Sequence, residues 1–108
     1  MRLEEATGYT LVLDGELNYY GSEPHAYLAV GVGPGSSIEV REDGRQIGTI
    51  PVSESLLLEI AEADSAEGPA MDEVAGLAGQ RVSVTANLLT TPAPLRHARI
   101  RVTSVEPA

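Results

Sequence analysis

The stretch Ser37–Asp64, SIEVREDGRQIGTIPVSESLLLEIAEAD, decides how the fold is read. Asp43-Gly44 suits the positive backbone angles of a two-residue type I′ hairpin, whose twist matches that of the strands it joins. With these two residues as the turn, Glu42 faces Arg45, Arg41 faces Gln46, Val40 faces Ile47 and Ile38 faces Thr49. Opposite charges then meet near the turn and aliphatics further down, each pair contributing about 0.2–1 kcal/mol. Pro51 has no N–H for a ladder, so it belongs at the end of the second strand or on an edge. Ser53 follows as a helix cap, with Glu54 at the positive end of the helix dipole. At helical spacing Leu56, Leu57, Ile60 and Ala61 share one apolar face, and Ser55, Glu59 and Glu62 the other. The expectation is a hairpin running into an amphipathic helix packed on a sheet.

Upstream, Tyr9, Leu11, Leu13, Leu17 and Tyr19 alternate with Thr10, Asp14, Glu16 and Asn18, the period of a half-buried strand. Gly15 interrupts the pattern, marking a bulge or bend where a long strand turns a corner and pairs with two neighbours. After the loop Gly21-Ser22-Glu23-Pro24, a second strand runs from Ala26 to Val32. Leu28, Val30 and Val32 lie on one of its faces, and Tyr27, Ala29 and Gly31 on the other. Gly33-Pro34-Gly35 turns the chain into the hairpin.

Downstream, Met71, Val74, Leu77 and Ala78 recur at helical spacing, with Pro69 suited to a first turn and Gly79 to a C-terminal cap. Val82, Val84, Ala86 and Leu88 then alternate with Arg81, Ser83, Thr85 and Asn87. After a loop from Thr90 to Pro94 the chain closes with a strand from Ala98 to Glu106. In it Ile100 and Val102 share a face while Val105 is out of phase, the mark of a bulge or a frayed end.

These elements make one domain spanning residues 1–108. Few large apolar positions remain for a second layer of helices, so the economical way to bury a strand face is to close the sheet on itself. The expected fold is a mainly β, small antiparallel barrel of five or six strands, like the oligonucleotide-binding fold, with one or two helices before the last two strands. An open α+β sandwich with its helices on one face is the alternative.

The segment SIEVREDGRQIGTIPVSESLLLEIA resembles the middle of a HIRAN domain, a barrel family related to the oligonucleotide-binding fold. The resemblance rests on Val40, Gly44, Ile47, Gly48, Ile50 and Pro51 and covers about a quarter of the chain. Thr49 stands where the family usually carries an aromatic. The family's acidic and asparagine-rich stretch before this strand is represented only by Ser22-Glu23-Pro24. Members are associated with DNA ends and with replication or repair enzymes, so the resemblance implies a nucleic-acid ligand.

Composition narrows the function classes. The formal net charge is −9, with 16 Asp and Glu against 7 basic residues, all of them Arg. Phosphate backbones and anionic membranes bind through clustered positive charge, so nucleic acid is disfavoured as a partner. Absence of Lys beside abundant Ala, Gly, Val, Glu and Arg reads as a GC-rich coding sequence. Without Cys there is neither a disulfide nor a thiolate metal site, which fits a reducing cytoplasm. No stretch has the length of a membrane helix.

No catalytic or cofactor motif is present. His25 and His97 lack a nucleophile elbow, a metal would need Glu23, His25 and a distant third ligand, and Gly31-Val32-Gly33-Pro34-Gly35 lacks the Lys and helix of a phosphate cradle. The expectation is a protein without enzymatic activity, cofactor or metal, acting as a binding or accessory module. Its leading reading is docking of a partner protein, through a sheet edge or an apolar rim around Leu88, Leu89 and Leu95. The alternative is binding of single-stranded nucleic acid, which requires aromatic platforms and a positive groove. Tyr20 and Tyr27 are the candidate platforms, Tyr19 being assigned to the core, and Arg96, His97, Arg99 and Arg101 form the basic cluster. A third idea, mimicry of DNA by an acidic surface, fits less well because the Glu residues are scattered.

Overall fold

Asp43 and Gly44 take φ angles of 53° and 78°, so the turn read from the sequence is present. A computed structural model describes residues 1–63, 69–91 and 97–108 of the chain. The hairpin comprises β3 (Ser37–Glu42) and β4 (Arg45–Pro51). Glu42 pairs with Arg45 and Arg41 with Gln46, and then the register shifts: Val40 faces Gly48 and Ile38 faces Ile50. The expected pairs Val40–Ile47 and Ile38–Thr49 do not form. The bulge that displaces them brings Ile38 and Ile50 onto one inward face, at 0% and 5% exposure, and leaves Ile47 outside at 40%. Without it the period of two would have turned Ile50 to solvent. Pro51 ends β4, as expected.

The expected helix after Pro51 is a strand. Ser53 caps nothing; Leu56–Ala63 forms β5, pairing antiparallel with β2 (Tyr27–Val32) and parallel with β7 (Ala98–Pro107). Leu58 and Ile60 point inward and are buried, so LLLEIA is used at period two. An apolar run this short satisfies both periods. The helix propensity of Leu, Glu and Ala yields to the ladders that two neighbouring strands offer on either side.

With β1 (Thr10–Tyr20) and β6 (Gln80–Thr90) the described residues form seven strands in one sheet, in the order β2-β5-β7-β6-β1-β3-β4. A further pairing of β1 with β2 joins β1, β2, β5, β7 and β6 into a ring of five. The β3–β4 hairpin is appended outside this ring, through Glu39–Arg41 on β1. β1 therefore serves three partners: β6 along one edge, then β3 at residues 10–12 and β2 at residues 16–20 along the other. Gly15 sits at this change of partner, where the sequence placed a corner. A Cβ there would meet the Gly31 carbonyl oxygen at 2.6 Å and Val30 Cγ1 at 2.7 Å, so the crossing requires glycine.

The helical expectation over residues 65–79 is met only by α1 (Met71–Ala75); Pro69 precedes it, and residues 64–68 lie outside the description. Val74 is fully buried, while Leu77 and Ala78 pack on the same core from the turns that follow. Gly79, at φ 89°, donates its N–H to the Leu17 carbonyl and delivers the chain into β6. On β7 the register shifts opposite Thr85 and Ala86, so that Val84 faces Val105. This is the bulge that the phase of Val105 called for.

The inward faces merge into one aliphatic core: Leu11, Leu13 and Leu17 of β1, Leu28, Val30 and Val32 of β2, and their counterparts on every other strand. Tyr19 shares the phase of Leu17 but is 56% exposed, contrary to the core assignment. It pairs with Leu28 near the end of β1, where the strand runs past the packed interior. Among the described residues no helix is long and apolar enough to cross a membrane.

Candidate ligand face

Residues that alternate with the core positions of β1, β2, β5 and β7 form the outward face of the ring. Its crosswise rows follow from the register: Glu16 beside Gly31 beside Leu57, Asn18 beside Ala29 beside Glu59 beside Arg99, and Tyr20 beside Tyr27. Two of the sequence candidates, Tyr20 and Tyr27, are thus cross-strand neighbours. Both are half-buried, and their ring centroids are 6.5 Å apart with a 31° tilt.

Tyr20 lies down along the sheet. Its hydroxyl donates to the Glu16 carbonyl oxygen at 3.3 Å, and its Oη stands 2.7 Å from where a Cβ on Gly31 would be. Gly31 is therefore a seat for the phenol. Burial first, then the Glu16 carboxylate, then Tyr27, push the Tyr20 phenol above its ordinary pKa. Each of these penalises a phenolate, so the ring stays neutral.

Tyr27 reaches in the other direction. Its hydroxyl and His97 Nε2 share a hydrogen bond of 2.7 Å, and the two rings stack obliquely with centroids 5.2 Å apart. His97 directly precedes β7, and β5 lies between β7 and β2 in the sheet. The contact therefore spans β5 and ties the start of β7 to the end of the β1–β2 connection. Tyr20, Tyr27 and His97 make one continuous aromatic row.

Arg99 is on this face, half-exposed, with its Nε 3.4 Å from a Glu59 carboxylate oxygen. Arg101 follows two residues on, partly buried, its register partner on β5 being Glu62. The basic strand is thus present as read, but the Glu59 carboxylate of β5 accompanies it, a neighbour that a helix over this segment would not supply.

Of the apolar rim read from the sequence, only Leu88 and Leu89 are described. Leu88 is 1% exposed and belongs to the core, because it continues the inward phase of β6. Leu89 is half-buried on the outward side of β6. Leu95 and Arg96 lie outside the described residues. Sequence reading missed Gly31 and Glu16 as parts of the site. Their signal was available in the outward phase of β2, where Ala29 and Gly31 leave room that large rings on β1 and β2 can fill.

Among the described residues no group of three or more His, Cys, Asp or Glu is arranged to hold a metal ion. What this face offers a ligand is two aromatic faces, their hydroxyls, and charges of both signs around them. No protein-family model, no curated protein and no solved structure matches the chain.

Proposed function

We propose that the protein is a non-catalytic docking module that binds a partner protein through the outward face of its strand ring. The Tyr20–Tyr27–His97 row carries this reading. Tyrosine supplies large contact area at little cost in side-chain entropy, and with Arg it dominates the energetic centres of protein interfaces. The rings are held in place by a glycine seat, a carbonyl and an imidazole, so little further ordering is needed on binding.

A second reading is favoured by one observation. Counted within the ring alone, the strands run first-second-third-fifth-fourth, with α1 before the fourth and the β3–β4 hairpin inserted between the second and third. We read this as an oligonucleotide-binding barrel with an added hairpin, in keeping with the HIRAN-like segment. In such barrels the face of the second and third strands binds oligonucleotides. Here the aromatic row starts from Tyr20 on the first strand and crosses this face between Tyr27 and His97. The net charge of −9 and the Glu59 carboxylate beside Arg99 count against a phosphate backbone, which places the protein partner first.

Two measurements test the reading together. Immobilised wild type and a Tyr20→Ala/Tyr27→Ala variant, verified as folded by circular dichroism, are used to retain proteins from an extract. Proteins held by the wild type and lost from the variant support docking through this face; identical retention rejects it. Fluorescence anisotropy with a labelled thymidine 20-mer at low and moderate salt tests the second reading. Salt-dependent binding that weakens in Arg99→Ala/Arg101→Ala would put the nucleic acid in first place.

A further inference from the structure

The docking face has a sign. We propose that its occupant is an extended, basic segment of the partner, laid along β1 with an Arg or Lys head group over the Tyr20 and Tyr27 rings and its charge answered by Glu16. The inference rests on the docking reading and names the chemistry of the partner.

Three observations carry it. From its middle onward, the outward positions of β1 are Asp14, Glu16, Asn18 and Tyr20, two carboxylates in line with an aromatic. Asp14 and Glu16 are exposed, and among the described residues neither has an ion-pair partner. Arg81 is the register partner of Glu16 on β6, and Arg99 lies against Glu59.

The second observation is the pair of tilted tyrosine rings, with centroids 6.5 Å apart. A cation within about 6 Å of a ring centroid is attracted by its quadrupole, and Arg stacks on such faces more often than Lys. Glu16 acts on the Tyr20 phenol through space, so a positive charge held over that ring feels the same carboxylate. A strand presents same-face residues about 6.6–6.8 Å apart. An extended segment with basic residues at alternate positions would therefore meet Tyr20 and the carboxylates of β1 in register.

The third is the field of the whole molecule. A formal −9 on 108 residues repels acidic partners and raises the encounter rate of basic ones, most strongly at low ionic strength.

The probe is a labelled decapeptide of alternating Arg and Gly, compared with its Glu-for-Arg counterpart. Binding is followed by anisotropy at low and moderate salt and mapped by amide chemical-shift changes in the isotope-labelled 108-residue chain. The Arg peptide is expected to bind with salt-sensitive affinity, to shift residues 14–20 and 27–31, and to leave the Glu peptide inert. Tyr27→Ala should weaken it about fivefold. Glu16→Gln should weaken it about threefold, and Glu42→Gln at the remote hairpin tip should not.

Shifts concentrated elsewhere, equal binding of the two peptides, or equal loss in Glu16→Gln and Glu42→Gln would overturn the proposal, the last because it describes attraction to net charge alone. If the Arg peptide fails while extract proteins are still lost from Tyr20→Ala/Tyr27→Ala, the basic-segment inference falls and the docking reading stands. If both fail, both fall.

Discussion

Gly15 and Gly31 cross so closely that a Cβ on Gly15 would stand 2.6 Å from the Gly31 carbonyl oxygen and 2.7 Å from Val30 Cγ1. The contact lies where β1 leaves β3 for β2 as its partner, so it holds the two halves of β1 at one junction.

Gly15→Ala should be among the most destabilising small substitutions in the chain. The obstructing atom is backbone and cannot swing aside, so β1 and β2 must separate, at about 1–3 kcal/mol or more. Urea denaturation of wild type and variant measures this. A loss below about 0.5 kcal/mol would show that the crossing has slack.

Gly31→Ala meets a different obstacle. Its Cβ would stand 2.7 Å from the Tyr20 hydroxyl, the far end of a flexible side chain. The ring should lift from the sheet and lose its bond to the Glu16 carbonyl, with a stability loss of about 0.5–1.5 kcal/mol. In a Tyr20→Ala background the same substitution should be nearly silent, and a double-mutant cycle reads the difference.

The identity of β5 can be tested by two neighbouring leucines. Leu58 is fully buried, whereas Leu57 is half-buried on the outward face. Leu58→Ala should cost about 2–5 kcal/mol and Leu57→Ala under about 1 kcal/mol. A helix with Leu56, Leu57, Ile60 and Ala61 inward would reverse the order, so the ranking of the two denaturation midpoints separates the alternatives.

The Tyr20 phenol, whose pKa burial and the Glu16 carboxylate raise above the ordinary 10.0, links stability to alkaline pH. The folded state holds this proton more tightly than the unfolded chain. The contribution is therefore complete below pH 10.0 and is lost as pH rises from there through the higher folded value. Thermal midpoints should fall over that range, and Tyr20→Phe, which has no proton to lose, should fall less steeply.

Much of the architecture was legible locally. Alternation marked β1, β2, β6 and β7, because a half-buried strand displays its period wherever one face meets the core. Asp43-Gly44 announced its turn through the positive φ angles it tolerates, and Val105 announced a bulge by falling out of phase. Of the site, Tyr20, Tyr27 and the Arg99–Arg101 strand were found as outward residues, but nothing local indicated that Tyr27 would meet His97, 70 positions away.

The sequence by itself determined the strands that alternate cleanly, β1, β2, β6 and β7, the Asp43-Gly44 turn and the acidity of the whole. The tertiary structure decided two further matters. LLLEIA can be helix or strand, and it became β5 because β2 and β7 each offer it a ladder that a helix would have left unpaired. The hairpin could turn Ile47 inward opposite Val40 or Ile50 inward opposite Ile38, and the bulge selects the second register, which buries Ile50 in the core beside Ile38. Both are choices between local states of similar energy, and contacts distant in sequence settle them.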